Sequence, residues 1–326
     1  MSGMTRRRFS ISLATACTAG AAGLAWGQRW PSKMITIVVP YAPGGATDAV
    51  ARLMGQRLQE KLGQPVVVEN KAGGNSNIGM GYVAKAAPDG YTVLLVANSL
   101  VTNNTLFPNL PFDGLRDFQP LGRIASAPLL VAVPAESPAR TLKDLLEQAK
   151  AAPGQLTYAS PGNGSSAHLA GEALRQLAGI DVLHVPYKGA APAFTDLIGG
   201  RISFMPINTV EAMGHLRGKR VRALAIAAPQ RIPQLPDVPT AAEAGLPGYV
   251  ESVWYGFAAP SGTPKDVVQR LNTTMNQVLE EPGIQQKLLD LGATPATGTL
   301  AQFTDFLRSE RTRAERVVRA ANIRVD

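Results

Sequence analysis

The sequence predicts an α/β protein with two domains, and three observations indicate this. Short apolar segments alternate with helical patterns along most of the 326 residues, which is typical of α/β layers with largely parallel sheets. Two of the apolar segments run into a glycine-rich turn and then a helix, at residues 35–62 and 156–178. The length and the 45% hydrophobic composition suffice for more than one core, and chains of this size usually divide into two domains.

The beginning of the chain predicts an export signal. Three arginines at residues 6–8 give a twin-arginine-like start, and residues 11–25 are apolar but too few to span a bilayer. Small residues before Gln28 predict cleavage there, so we assign residues 1–27 to a signal peptide. An uncleaved anchor or an amphipathic arm is the alternative. The only cysteine, Cys17, lies inside this segment, so we expect a mature protein without disulfides.

Composition narrows the classes of partner. The net charge is +8, and the many arginines near the end interleave with Glu310 and Glu315, which is the pattern of a solvated helix face. Aromatic residues make up only 6% and none alternates with the basic ones, so we expect no nucleic-acid binding. No later apolar run reaches the roughly 18 residues of a transmembrane helix. We expect a soluble, monomeric mature protein.

The first half of the chain contains clear strand and helix signals. Ile35–Pro40 predicts a strand, and Thr47–Leu62 predicts a helix, because its apolar residues form one stripe that Gly63 ends. Further predicted elements are strands Val66–Glu69, Tyr91–Ala97 and Leu129–Val133, a polar loop Asn70–Gly79 and helix Thr141–Ala151.

The second half repeats this logic. Strand Leu156–Ala159 leads through a second glycine turn into helix Ser166–Ala178, which ends at Gly179. Prolines make Pro229–Pro247 irregular. The remaining predicted elements are strands Val182–Val185, Ile202–Met205, Arg222–Ile226 and Trp254–Ala258, and helices Pro192–Ile198, Lys265–Glu280, Pro282–Leu291 and Leu300–Ala321.

The order of elements predicts that the chain passes twice between two α/β units. The crossings fall near Ala127–Val131 and near Ser252–Phe257. We therefore assign residues 28–128 and 252–326 to domain 1 and residues 129–251 to domain 2, joined by two crossing strands.

The two glycine turns are the candidate binding site. A helix start that follows a small-residue turn leaves several backbone N–H groups unpaired at the positive end of the helix dipole, which favours anions. Other small polar groups lie at strand or loop ends, Asn75 and Ser99 among them. They favour a ligand-binding role for the two turns over a purely structural role as strand-to-helix connections. In open α/β sheets, ligands lie beyond the carboxyl ends of strands. The turn residues are Gly44, Gly45, Ala46 and Thr47 in the first turn, and Asn163, Gly164, Ser165 and Ser166 in the second.

Catalytic and metal chemistry find little support. The three histidines, His168, His184 and His215, form no metal-binding spacing. A serine hydrolase using Ser165 or Ser166, a histidine and Asp196 is conceivable, but hydroxyls at a helix start usually cap it. The glycines match neither a Walker loop nor a Rossmann turn. We predict no catalytic residues, no metal and no cofactor.

Six motifs resemble one family in the same order along the chain, the Bug (TctC-like) family of periplasmic receptors of tripartite tricarboxylate transporters. The resemblance covers nearly all of the mature sequence. The motifs are PGGATD at Pro43–Asp48, VVENK at Val67–Lys71, PDGY at Pro88–Tyr91, HVPYKG at His184–Gly189, DVPTAAEAG at Asp237–Gly245 and AAPSGTP at Ala258–Pro264.

This resemblance implies a two-domain periplasmic-binding-protein fold, type II-like, that closes on a small carboxylated ligand. It implies that the first turn holds one end of the ligand and the second turn the other, with Tyr41, Ser99, Tyr187 and Asp196 as wall residues. The loop Asn70–Gly79 is more polar than is usual in the family. Asn75 or Asn77 adds donors to the pocket or caps a helix, and the sequence leaves both open.

The expected function is a periplasmic solute-binding protein that delivers its ligand to transporter membrane subunits. The ligand stays open among dicarboxylates, tricarboxylates, amino acids and aromatic acids. Two alternatives stand beside it: an exported hydrolase of small acids, and a ligand-responsive sensor that docks on a membrane signalling partner.

Overall fold

The elements of this computed structural model follow one another as strand–helix units in the first part of the chain. The structure describes residues 30–320 and residue 323, and the predicted leader and its cleavage site lie outside the described residues. All helices and strands belong to the unit Lys33–Asp326. The bounds in chain order are β1 Ile35–Val39, α1 Ala46–Leu62, β2 Val66–Asn70, α2 Asn77–Ala84, β3 Thr92–Val96, α3 Ser99–Leu106, β4 Phe118–Pro134, α4 Leu142–Ala151, β5 Thr157–Ser160 and α5 Ser166–Ala178.

The second part of the chain continues with shorter elements and ends in three helices. The bounds are β6 Leu183–Pro186, α6 Ala190–Ile198, β7 Met205–Asn208, α7 Thr209–Arg217, β8 Val221–Ile226, β9 Ser252–Pro260, α8 Lys265–Leu279, α9 Pro282–Asp290, β10 Thr294–Pro295 and α10 Leu300–Ala320.

Strand β4 joins two sets of strands. In the order β10-β4-β9-β3-β1-β2, β1 pairs in parallel with β2 and β3, and β9 runs antiparallel between β3 and β4. From Phe118 to Pro128, β4 pairs with β9, and from Leu129 to Pro134 it pairs with β7 and β8. The parallel pair β5 and β6 forms a separate small sheet. One long strand therefore takes part in both halves of the fold.

The expectation of largely parallel sheets was wrong. Among the described strands, the pairings of β4 with β7, β8, β9 and β10 and of β3 with β9 are all antiparallel. The reason is that β4 and β9 pass through the sheets as long crossing strands and are not joined to their neighbours by helical crossovers. The predicted strands Leu129–Val133 and Trp254–Ala258 were accordingly too short.

Three helices escaped the sequence analysis: α2, α3 and α7. Helix α2 begins inside the predicted loop Asn70–Gly79 and contains Gly79 and Gly81, which interrupt its apolar stripe. A Cβ on Gly79 would lie 2.7 Å from Pro40 Cβ and 2.8 Å from the Lys71 carbonyl oxygen, so close packing against the β1 end demands glycine there. Helix α3 is short and buried through polar as well as apolar residues, which hides its helical period.

Apolar clusters lie on both sides of the shared strand. One packs around Trp254, Phe303 and Leu307, where α10 covers β9. Another packs around Phe194 and Ile207 between α6, β7 and β4. A small third cluster joins Leu106, Leu169 and Val318, so α3 and α10 touch α5. The division into domains 28–128 with 252–326 and 129–251 stays a prediction.

Candidate functional site

The first glycine turn leaves the start of α1 without a side-chain cap. Gly45 is the N-cap residue, its backbone is extended at φ −82° and ψ 177°, and no side chain accepts from the first turn of the helix. Gly44 has φ +82°, a conformation that favours glycine. The first turn of a helix has no earlier helical carbonyl to pair with, so the N–H groups of Ala46 and Thr47 stand at the positive helix end as donors.

Asp48 holds this turn in shape. Its carboxylate accepts hydrogen bonds from the Gly44 N–H at 3.0 Å, from Arg52 Nε at 2.9 Å and from Asn70 Nδ2 at 2.9 Å. Burial opposes ionisation, but the bonds from Arg52, Gly44 and Asn70 outweigh it and hold the pKa of Asp48 below its usual value. Asn70 also donates to the Tyr41 carbonyl oxygen at 3.1 Å. Asp48 stood in a sequence motif, but its structural role was not predicted.

The second turn is organised by His168. Its Nδ1 accepts the Gly164 N–H at 3.0 Å, and its own backbone N–H donates to Ser165 Oγ at 3.2 Å. Ser165 is thus the N-cap of α5. The Gly164 N–H therefore has a partner within the protein. The N–H of Ser166, at the first position of α5, has no helical carbonyl to pair with and is the donor that this turn offers to a ligand.

Two stacked histidine rings pack behind the second turn. The rings of His168 and His184 lie 3.9 Å apart, and His184 Nε2 is 2.7 Å from Ser160 Oγ. Burial lowers the pKa of His168 to about 4. Burial and the neighbouring His168 lower the pKa of His184 to about 3. Both rings are therefore neutral at neutral pH, and the hydrogen bond from the Gly164 N–H satisfies Nδ1 of His168.

Asn75 and Asn103 connect the polar loop with the second turn. Asn75 Nδ2 donates to Asn103 Oδ1 at 3.2 Å, and Asn103 Nδ2 donates to the Asn75 carbonyl oxygen at 2.8 Å. A Cβ on Gly164 would lie 3.4 Å from Asn75 Nδ2 and 2.1 Å from Leu106 Cδ1. The structure thus brings Asn75 and α3 against the second turn. Asn77 Oδ1 accepts from Asn103 at 2.7 Å, so it belongs to the same network.

A cluster of hydroxyls and one acid lies at the carboxyl ends of β1 and β3. Tyr41 Oη and Ser99 Oγ are 2.6 Å apart. Glu211, at the start of α7, is close enough for its charge to raise the pKa of Tyr41, although burial is the larger cause. Its charge acts on Tyr255 of β9 in the same way, again after burial. Sequence reasoning missed Glu211 and Tyr255, because a Glu three residues after Asn208 resembles an ordinary capping pair.

Tyr187 and Asp196 form a fixed pair beside the second turn. The Tyr187 hydroxyl donates to Asp196 Oδ2 at 2.6 Å, and Arg201 Nε donates to Asp196 Oδ1 at 2.9 Å. Hydrogen bonds from Tyr187 and Arg201 hold the pKa of Asp196 below its usual value. The Tyr187 carbonyl oxygen lies 3.4 Å from the position of a Cβ on Gly162, so the backbone of Tyr187 adjoins the second turn, and Asp196 fixes the position of its hydroxyl.

The conceivable hydrolase set is not assembled. Ser165 Oγ caps α5, the His168 ring bonds to the Gly164 N–H, and Asp196 pairs with Arg201. The Ser160 and His184 side chains do lie close together, but Ser160 is 0% exposed, so its hydroxyl is not accessible as a nucleophile. Within residues 30–320 and 323, no group of three or more His, Cys, Asp or Glu residues is placed to hold a metal ion. In the same part of the chain, no helix is long and apolar enough to cross a membrane.

Comparison with known proteins defines the class of this fold as a type II periplasmic-binding-protein fold. A structure described as a periplasmic transporter shares 41% identity and a TM-score of 0.86 over 91% of this chain and 100% of that one. A protein of R. palustris, solved with adipate, shares 36% identity and a TM-score of 0.87 over 90% and 99% of the two chains. MatC of Rhodopseudomonas palustris, solved with bound malate, shares 34% identity and a TM-score of 0.82 over 89% and 100%.

The family follows from two further matches. The family described as "Tripartite tricarboxylate transporter family receptor" (TctC) matches residues 50–323. The protein BugT of Bordetella pertussis is 37% identical over 318 residues, which cover 97% of each chain. This chain belongs to the TctC (Bug) family of tripartite tricarboxylate transporter receptors, which are periplasmic solute-binding proteins and not enzymes. The resemblance inferred from the six sequence motifs is confirmed.

Proposed function

We propose that this receptor captures a small carboxylated solute between its two predicted domains and delivers it to the membrane subunits of a tripartite tricarboxylate-type transporter. The leader is removed near Gln28, and the mature protein acts in the periplasm as a monomer. The uncapped start of α1 carries the proposal, because its N–H groups have neither a helical carbonyl nor a side-chain acceptor. A ligand carboxylate supplies that acceptor and interacts with the positive end of the helix.

The second half-site supports the same ligand class. Ser166 begins α5, Asn163 lies in the turn before it, and Asn75 approaches this turn from the polar loop. No Lys or Arg stands in either turn, so recognition rests on neutral donors. The relatives solved with adipate and with malate hold dicarboxylates, and a dicarboxylate offers one anionic end to each helix start.

A ligand screen by thermal unfolding tests this function. The unfolding temperature of the mature protein is measured with dicarboxylic, tricarboxylic, amino and aromatic acids. For each acid that raises it, the diamide of that acid, in which the carboxylates are neutral amides, is the control. A one-site ligand at 100 times its dissociation constant stabilises the folded protein by about 2.7 kcal/mol. We expect such a shift with at least one carboxylate and none with its diamide. Equal shifts with acid and diamide, or recovery of a chemically altered ligand, would contradict the proposal.

Ligand binding is expected to close the two predicted domains about the crossing strands β4 and β9. A ligand that contacts both glycine turns gains contacts in the closed form that it lacks in the open form, so it shifts the population toward closure. Residues 252–326 should move with residues 28–128 as one body. Small-angle scattering should give a smaller radius of gyration at saturating ligand, and an unchanged radius would refute closure.

A further inference from the structure

The hydroxyl of Tyr255 lacks a partner although it is fully enclosed. Tyr255 is 1% exposed, and its Oη has no hydrogen-bond partner among the described residues. A buried donor left unpaired costs about 1–3 kcal/mol. Native structures rarely carry this cost without a reason, so the atom points to a partner that comes from outside the chain.

Tyr255 lies at the position where strands bring several polar groups together. Leu95 and Val96 of β3 pair with Phe257 and Gly256 of β9, so Tyr255 stands beside the carboxyl end of β3. Ser99 begins α3 just beyond that end. Tyr41 follows β1, the parallel neighbour of β3, and its hydroxyl meets Ser99. The phenols of Tyr41 and Tyr255 therefore lie at the sheet edge from which the first glycine turn also starts.

Glu211 approaches this edge from the other half of the fold. It lies in the first turn of α7, which follows β7, and β7 pairs with the second segment of β4. Asn208 Nδ2 donates to Glu211 Oε2 at 2.7 Å, and no Lys or Arg pairs with this carboxyl among the described residues. The titratable groups that face it are Tyr41 and Tyr255.

We propose that Glu211, Tyr255 and Tyr41 form a polar subsite that binds a hydrogen-bond-donating substituent, a hydroxyl or an ammonium group, on the captured acid. This inference rests on the proposed function and names its preferred ligands. The Glu211 carboxyl accepts from the substituent. A hydroxyl substituent accepts from the Tyr255 O–H, whereas an ammonium group donates to the Tyr255 oxygen. A second ionised carboxylate suits this position poorly, because Glu211 has no cation to offset like-charge repulsion.

The ionisation of Glu211 is consistent with such a role. Burial raises the pKa of Glu211 to about 7, although Asn208 works in the opposite direction. An acid in this state is ready to become a carboxylate when a donor arrives and compensates its charge. An ammonium group would gain most from the charge, whereas a hydroxyl needs only an acceptor oxygen.

Matched acids test the subsite. Titration calorimetry compares the binding of succinate, malate and aspartate, which differ only at one carbon, and then of propionate, lactate and alanine, to the mature protein. We expect the hydroxy or the amino member of one series to bind at least about 10-fold more tightly than the unsubstituted acid, which corresponds to about 1.4 kcal/mol. Equal affinity across each series would overturn the subsite and leave the proposed function standing. Binding of none of the six acids would overturn the subsite, and binding of no acid in the wider thermal screen would overturn the proposed function as well.

Two variants identify the groups responsible. Tyr255→Phe removes only the unpartnered hydroxyl, so we expect it to reduce the preference without lowering the unfolding temperature of the ligand-free protein. Glu211→Gln keeps an acceptor oxygen, so it should abolish a preference for ammonium and keep most of a preference for hydroxyl. Glu243→Gln is the matched control, because the Glu243 carboxylate also accepts from a residue three positions earlier, the Thr240 N–H, but it lies in an exposed turn and pairs with Arg231. A preference that survives both Tyr255→Phe and Glu211→Gln would refute the assignment.

Discussion

Replacing Gly45 with aspartate is expected to weaken binding of the carboxylated solute at least about 10-fold while leaving the ligand-free protein as stable as the wild type or slightly more stable. Aspartate is a preferred N-cap residue, and its advantage over glycine at that position is a few tenths of a kcal/mol. Its carboxylate would accept from the same first-turn N–H groups that the ligand needs. Losing a charge-assisted hydrogen bond costs about 1.5–3 kcal/mol, which is roughly 10- to 100-fold in affinity.

Gly45 tolerates this change because its backbone is not in the left-handed region. The nearest atom to a Cβ there is the Ala42 carbonyl oxygen at 3.8 Å. Gly164 is a poor site for the equivalent experiment, since φ is +72° and a Cβ would collide with Leu106. Gly283→Asp serves as the control, because it adds an acid to the first turn of α9, where a Cβ meets nothing within 4 Å.

Affinity and unfolding temperature must be measured on the same preparations. Opposite movements, weaker binding with unchanged or raised stability, identify the α1 start as a ligand site. If Gly45→Asp binds as tightly as Gly283→Asp, the carboxylate does not use this helix start.

Acid is expected to destabilise the protein through the stacked pair His168 and His184. Both folded-state pKa values lie below the ordinary histidine value of about 6.5. Below about pH 6.5, the unfolded chain therefore binds protons on these rings that the folded protein does not bind. Stability from this source is complete above about pH 6.5, falls as the pH drops toward the folded values of about 4 and about 3, and levels off below them. Between about pH 8 and pH 5, each ring should lower the free energy of unfolding by about 2 kcal/mol.

Denaturant unfolding across pH measures this effect in the wild type and two variants. His168→Asn retains an acceptor near the position of Nδ1 for the Gly164 N–H, and His184→Gln retains a polar group near Nε2 for Ser160. Each variant should show a shallower loss of unfolding free energy than the wild type between about pH 8 and pH 5. Glu211 has the opposite sign, because its raised pKa favours the folded protein at low pH. That contribution is common to all three proteins and cancels in the differences.

A parallel dependence on pH in wild type and variants would show that the two rings are protonated in the folded protein. The hydrogen bond from the Gly164 N–H to His168 would then also be lost at acid pH, because a protonated Nδ1 cannot accept it.

The sequence predicted the strand–turn–helix units well because their signals are local. Gly63 and Gly179 do end α1 and α5, with φ +68° and +60°. The turn residues could be chosen for the same reason, since their small side chains follow apolar strands. Their use as ligand contacts remains a prediction.

The features that failed depend on distant residues. The length of β4 is set by pairing with β9, β7 and β8, none of which is adjacent in sequence. Glu211 and Tyr255 could not be linked from sequence, because their proximity depends on the crossing of the chain between the sheets. The bond between His168 and Gly164 could not be predicted either, because it depends on the geometry of the turn.

The position of β9 has a consequence for how the protein folds while it is being synthesised on the ribosome. Residues Ser252–Pro260 lie between β3 and β4, and Leu94 pairs with Ala258. Residues 35–96 can form β1, β2 and β3 early, but the free edge of β3 waits for a partner made more than 150 residues later. An apolar, unpaired strand edge is the kind of surface that promotes aggregation of incomplete chains. In the nascent chain, this edge of β3 therefore stays unpaired until nearly four-fifths of the sequence has been synthesised.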